Sequence, residues 1–154
     1  RQPGLERATV VSAAPEVGVR ETWRIVGEKT VTQADYLDGK IEDDTLCYSY
    51  WMIDAHNSSQ KVATMAYHKP GKVGTIPLGA MLPKGVDGLL VAGRAISSDH
   101  GANSALRVQA SCMAMGQGAG AVAALAAKRG IEPRAVDVEL VKAALRKLGC
   151  IVPR

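Results

Sequence analysis

Residues 88–130, GLLVAGRAISSDHGANSALRVQASCMAMGQGAGAVAALAAKRG, constrain the fold more than any other part of the chain. A short apolar run ends at Gly93, a polar loop follows, and a stretch without any charge then runs from 110 to 127. Strand, glycine, loop and helix start, in that order, suit an anionic cofactor. Ligands of open α/β sheets sit at the carboxyl ends of strands, and a helix amino end offers free N–H groups and partial positive charge. Residues 89–92 read as an apolar strand of the kind buried on both faces of a parallel sheet. Such a strand needs neighbours. Either the part of the chain before it pairs with it, or its neighbours lie outside this sequence.

The uncharged stretch is nearly long enough to span a membrane. It is mostly Ala and Gly, with Ser111 and Gln117, and its strong hydrophobes are Met113, Met115, Val122 and Leu125. A buried core helix is therefore predicted, not a membrane span. Asn103 or Ser104 caps it, Gly130 closes it as a left-handed residue, and Pro133 stops its continuation. Residues 116–121, GQGAGA, match G-x-G-x-x-A, but they lie inside the helix, whereas the dinucleotide fingerprint occupies the turn directly after a strand. The glycines read better as packing. Cys112, Gly116, Gly120 and Ala124 form a stripe at spacing four, and a glycine inside a helix costs about 1 kcal/mol against Ala, which close packing against backbone must offset.

The first 80 residues read as β-rich. Residues 5–14 are predicted to form a strand, and 18–32 to be extended, alternating around Trp23, Ile25 and Val31. Thr32 caps a short helix over 33–37 that Asp38-Gly39 ends. Residues 46–56 read as a strand, 57–59 as a turn, and 61–79 as one or two strands broken at Lys69-Pro70-Gly71. Residues 137–148 form an amphipathic helix with Val138, Val141, Leu145 and Leu148 on one face. The expected organisation is thus α/β (an α+β fragment) in three parts: a β-rich substrate or cap part at 1–80, a strand–loop–helix unit at 81–130, and a terminal helix at 131–154.

The net charge of +4 comes from scattered basic residues with no interleaved aromatics. That pattern fits an anionic small-molecule substrate or cofactor and gives no nucleic-acid surface. Cys47, Cys112 and Cys150 lack a C-x-x-C and lack metal-ligand spacing with the three histidines. They read as reduced thiols of a cytoplasmic protein without a metal site.

The segments LLVAGRAIS, SALRV, CMAMGQGAG, GVRETWRIVG and IDAHN, in the order the family has them, resemble the carboxy-terminal part of FAD-dependent oxidoreductases with a glutathione-reductase-type FAD domain. The resemblance covers nearly the whole chain. It implies FAD as cofactor, residues 89–92 as the last strand of a Rossmann-type domain, and a long helix whose amino end points at the flavin. It also implies an amino-terminal FAD-binding portion as partner, because the strand–GxGxxG–helix that grips the ADP half of FAD is not found in this sequence. The chain alone is therefore expected to hold FAD weakly. An alternative is a binding or assembly module that kept the fold and lost the cofactor.

The residue chemistry agrees with that resemblance. Gly93 lacks a Cβ, so a ligand can approach it closely. Arg94, Ser97, Ser104, Arg107 and Val108 are expected to line the isoalloxazine end, with N–H groups near 105–108 stabilising negative charge at the N1–C2=O edge. The same loop could instead only cap the helix, with Arg94 and Arg107 in ion pairs. His100 is the first candidate for proton transfer, at a place where the family often has a histidine. His56 follows, with Asp54 setting its tautomer. Arg20 orients an anionic substrate or the flavin, or else forms a surface pair with Glu21. Cys112 is either a thiol activated by the helix start or a small packing residue.

Overall fold

The computed structural model describes residues 3–4, 6–16, 18–56 and 64–154. Among the described residues eight α-helices and β-strands follow one another: α1 (Gln33–Asp38), β1 (Thr45–Ser49), β2 (Ile53–Ala55), β3 (Thr64–Ala66), β4 (Gly74–Pro77), α2 (His100–Leu106), α3 (Gln109–Arg129) and α4 (Val138–Lys147). The chain thus mixes helices with two small antiparallel sheets, an α+β arrangement.

Local signals set the short elements. Thr32 accepts the Asp35 N–H and Gly39 closes α1 at φ 61°. The apolar run 46–56 becomes two strands. β1 pairs with β4, with an irregularity between Thr45 and Cys47, and β2 pairs with β3 by matching Ile53 to Ala66. The predicted break at Lys69-Pro70-Gly71 separates β3 from β4. The turn expected at 57–59 lies outside the described residues.

Three backbone segments are laced together beneath the helices. Ile25 N–H bonds Ala95 O at 2.9 Å, and Val31 N–H bonds Ser97 O at 3.1 Å. On the other side Glu28 N–H bonds Leu82 O at 3.0 Å, and Lys84 N–H bonds Val26 O at 2.9 Å. Residues 25–31 therefore run between 79–84 and 95–99. A single core cluster, from Val31 and Tyr36 through Met115 to Leu145, draws on residues of all three expected parts. The carboxylates of Glu42, Asp43 and Asp44 gather round Lys29 Nζ at 2.6, 2.9 and 2.6 Å, so this acidic group already has its cation.

Several expectations are corrected. Residues 8–14 are exposed and irregular, with Val11 95% accessible, because they have no ladder partner among the described residues. Trp23 points to solvent. Residues 89–92 form no strand: both sheets complete their pairing within 45–77, and the Val91 N–H goes to Met81 O. The helix after the loop starts earlier than predicted and breaks. Asp99, not Asn103 or Ser104, caps α2. Val108, β-branched and extended at ψ 152°, then separates α2 from α3.

The small-residue stripe is also corrected. A Cβ on Gly116 or Gly120 would meet open space. The face that packs is the one carrying Met115 and Val122, together with Ser111, Gly118 and Ala126. Gly118 is the close approach, since a Cβ there would lie 3.0 Å from Leu46 Cδ2 and 3.1 Å from Cys47 Sγ. α3 is long and apolar enough to cross a membrane, and only 28% of its apolar window is buried, so it is a one-faced helix and not a fully enclosed one. Gly130 closes it at φ 62°, as expected. In α4 the inward face is Val141, Lys142 and Leu145, while Leu148 lies past the helix end and is exposed.

Asp99 joins two helix starts. Its Oδ1 accepts the Ala102 N–H at 2.7 Å and its Oδ2 accepts the Gln33 N–H at 2.7 Å. Asp99→Ala removes both caps, and the expected loss is about 1–2 kcal/mol. A lower urea midpoint with an unchanged slope is the result to look for, and an unmoved midpoint would show the carboxylate to be dispensable.

Candidate functional site

An open cleft of about 430 Å³ is lined by Glu21, Thr22, Arg24, His56, His100 and Arg107. The extended entry segment brings Glu21 and Arg24, the end of β2 brings His56, and α2 brings the other two. His100 and Arg107 stand at the two ends of α2, seven residues apart, which is about two turns and puts them on one side of the helix.

Glu21 is the hub. Its Oε1 lies 2.6 Å from Arg24 Nη1 and 2.8 Å from His100 Nδ1, and its Oε2 accepts from Arg107 Nη1 at 2.8 Å. The Glu21 side chain is 12% exposed and that of Arg107 10%, so the pair sits largely out of water. Two guanidinium groups share this one carboxylate. Arg107 Nη2 also donates to Asp54 O at 3.3 Å. The Asp54 N–H in turn donates to Ser104 Oγ at 3.0 Å. His56 Nε2 lies 3.4 Å from Asp54 Oδ1, the partnership expected from their shared strand face.

The cleft therefore gathers His100, His56 and Arg107, and leaves Arg20 outside. Arg20 is exposed and makes no ion pair among the described residues. The reason is backbone geometry. Residues 18–24 have no ladder partner among the described residues, so strict alternation does not apply, and Glu21 meets Arg24 three positions on. Glu21 and Arg24 are the residues that sequence reasoning underrated. The charge set R-E-T-W-R is the signal, and the members that line the cleft are the second and the last.

The cofactor-loop residues divide. Gly93 has φ +83°, a conformation that favours glycine, and its missing Cβ would come only as near as 3.9 Å to Cys112 Sγ. Arg94 is exposed and reaches Val19 O at 3.4 Å. The other two polar members have their hydroxyls committed inside the fold. Ser97 Oγ lies 2.9 Å from Thr30 Oγ1, and Ser104 Oγ donates to Gly101 O at 2.7 Å. Asn103, fully buried, ties the loop to α2 by donating from Nδ2 to Arg94 O at 3.0 Å and to Ser98 Oγ at 3.1 Å.

The helix end available to an anion lies slightly later than predicted. Arg107 N–H is already bonded to Asn103 O within α2, and Asp99 fills the amino end of that helix. α3 begins directly after Val108, which provides no side-chain cap. The first intrahelical bond there is Cys112 N–H to Val108 O at 3.0 Å, so the N–H groups of Gln109, Ala110 and Ser111 have no partner within the helix. Cys112 is half-buried, and burial pushes its thiol up against the opposing pull of Arg94, so it is not an activated nucleophile. Burial pushes Cys47 to about 12.

Comparison with curated proteins and with solved structures gives no match. A family model described as FAD dependent oxidoreductase matches residues 1–145, which span the entry segment, the cleft, α3 and most of α4. The chain therefore belongs to the FAD dependent oxidoreductase family, and its cofactor is FAD.

Proposed function

We propose that this chain supplies the isoalloxazine-side loop and the substrate region of a flavin-dependent oxidoreductase. The observation that carries the reading is the Glu21–Arg24–Arg107–His100 cluster beside the uncapped start of α3. Those residues fit the flavin end of FAD. Gly93 leaves room, Arg94 is exposed, and the N–H groups after Val108 with the Arg107 charge suit negative charge at an N1–C2=O edge. Bound FAD supplies a two-electron acceptor. The chain's own residues bind and orient a small-molecule substrate and move its proton. His100, held through Nδ1 by Glu21, keeps Nε2 for that exchange, and His56 is the second candidate.

The ADP half of FAD has no counterpart among the described residues, where no strand–glycine turn–helix occurs. In this reading it is held by an amino-terminal FAD-binding portion of glutathione-reductase type, on a longer chain or a separate cytoplasmic subunit. The ladderless residues 89–92 and the open Gly116–Gly120 face of α3 are where that portion packs, with 89–92 becoming the last strand of its Rossmann-type sheet.

The test is the reduction potential of the flavin-loaded protein. Arg107→Ala is expected to make the flavin harder to reduce, by on the order of 30–60 mV for a loss of about 1.4–3 kcal/mol of charge stabilisation. His100→Ala is expected to change the pH profile of turnover. If both variants keep the parent's potential, profile and flavin affinity, the loop is only a helix cap. A protein that stays colourless after reconstitution with FAD and the amino-terminal portion is instead a non-catalytic module.

A further inference from the structure

A second concavity lies at the opposite end of β2 from the cleft and shares no lining residue with it. It measures about 370 Å³, within the range of small-ligand sites. Its walls are aromatic. Tyr50 stands 77% exposed, Tyr67 69% and Trp51 44%, an unusual concentration of ring surface left to solvent in a chain that contains no Phe. Tyr50 lies nearly parallel to His68, with centroids 5.8 Å apart and planes 15° apart. His68 in turn leans on the buried Tyr36 ring at 4.8 Å, which fixes the stack from behind.

Two polar features give this pocket a preference. His68 Nε2 is buried and has no hydrogen-bond partner among the described residues. Burial also lowers the His68 pKa, which favours a neutral imidazole behind the Tyr50 ring. The charge comes from Lys72. Its neighbour Lys69 is taken by Asp38 at 2.5 Å, whereas Lys72 is exposed and has no ion pair among the described residues. Ring faces on the walls and one free ammonium group at the edge are complementary to a flat molecule that carries a negative charge.

We propose that this pocket is a binding site for a planar aromatic carboxylate of one or two rings. The ligand stacks on Tyr50 and Trp51 and sets its carboxylate against Lys72. The site is separate from the cleft and does not depend on the reading of the cleft as a flavin and substrate region.

The probe is 4-nitrobenzoate, which quenches tryptophan emission. The chain has two tryptophans, and Trp23 lies outside the pocket, so Trp23→Phe leaves Trp51 as the sole reporter. Saturable quenching is expected. Lys72→Ala is expected to weaken it by about tenfold, and Tyr50→Ala by about fivefold. Neutral 4-nitrobenzyl alcohol is expected to bind about as weakly as 4-nitrobenzoate binds to the Lys72→Ala variant. Excess FAD, tested by equilibrium dialysis, should leave 4-nitrobenzoate binding unchanged. Lys72 is exposed, so its variant keeps the fold and decides the matter even if Tyr50→Ala does not. Linear, non-saturating quenching, equal binding of the neutral analogue, indifference to Lys72→Ala, or displacement by FAD would each overturn the proposal.

Discussion

Gly74→Ala is expected to destabilise the chain by about 3 kcal/mol, at the upper end for overpacking a core. Gly74 pairs with Ser49 across the β1–β4 ladder. A Cβ there would overlap the edge of the Tyr36 ring, with Cδ2 and Cζ at 2.7 Å and Cε2 nearer still. The ring has no room to retreat. Tyr36 is 0% exposed, and its hydroxyl lies 3.0 Å from Ser49 Oγ and 3.0 Å from Trp51 O while accepting the Trp51 N–H at 3.2 Å. Urea unfolding of Gly74→Ala, alone and combined with Tyr36→Leu, separates the clash from any other effect. The substitution should do much less harm once the ring is gone. Equal damage in both backgrounds would place its origin elsewhere.

The second large effect is expected at Glu21. Glu21→Gln leaves the Arg107 guanidinium, 10% exposed, without the carboxylate that neutralises it. Unpairing a largely buried charge costs about 3 kcal/mol. Arg107→Met alone leaves Glu21 with Arg24 and His100, so its effect should be smaller. The double variant should lose less than the sum, with a coupling of about 1–3 kcal/mol between two residues that lie 86 positions apart in sequence. A coupling near zero would mean that the two side chains do not share a site in solution. The exposed pair Lys69–Asp38 provides the contrast, because at that accessibility a coupling of less than about 1 kcal/mol is expected.

What was readable in advance is what short stretches of chain decide. Thr32 and Gly39 bound α1 because a cap is a hydrogen bond over three or four positions. Gly130 ends α3 for the same reason. The break at Lys69-Pro70-Gly71 and the strands on either side also depend on neighbours in sequence. The misreadings concern distant partners. Residues 89–92 look like a strand, but hydrophobicity does not say whether a ladder partner exists. The stripe at 112, 116, 120 and 124 is real in spacing, yet Met115 and Val122 choose which face turns inward. The chemistry of His100, His56 and Arg107 is legible residue by residue, but that they line one cleft is seen only in the fold. Glu21, the residue that holds two of them, was passed over for Arg20. Its partners lie 79 and 86 residues away, and only the folded chain shows that distance closed.

The lacing of residues 25–31 between 79–84 and 95–99 decides how the cleft can behave mechanically. One wall of the cleft continues directly into that middle segment, and the other is the helix that follows 95–99. Parting the walls means tearing backbone bonds such as Ile25 N–H to Ala95 O and Asp99 N–H to Val31 O, each near 3 Å and anchored in the core. The backbone at the base of the cleft is therefore pinned on both sides. The separation of its charges is set when the chain folds, before any guest arrives. On the function proposed above, Arg24, Arg107 and His100 present a substrate with charges already set around Glu21, which lowers the entropy cost of arranging them. On that reading, selectivity rests on how well a molecule matches fixed positions.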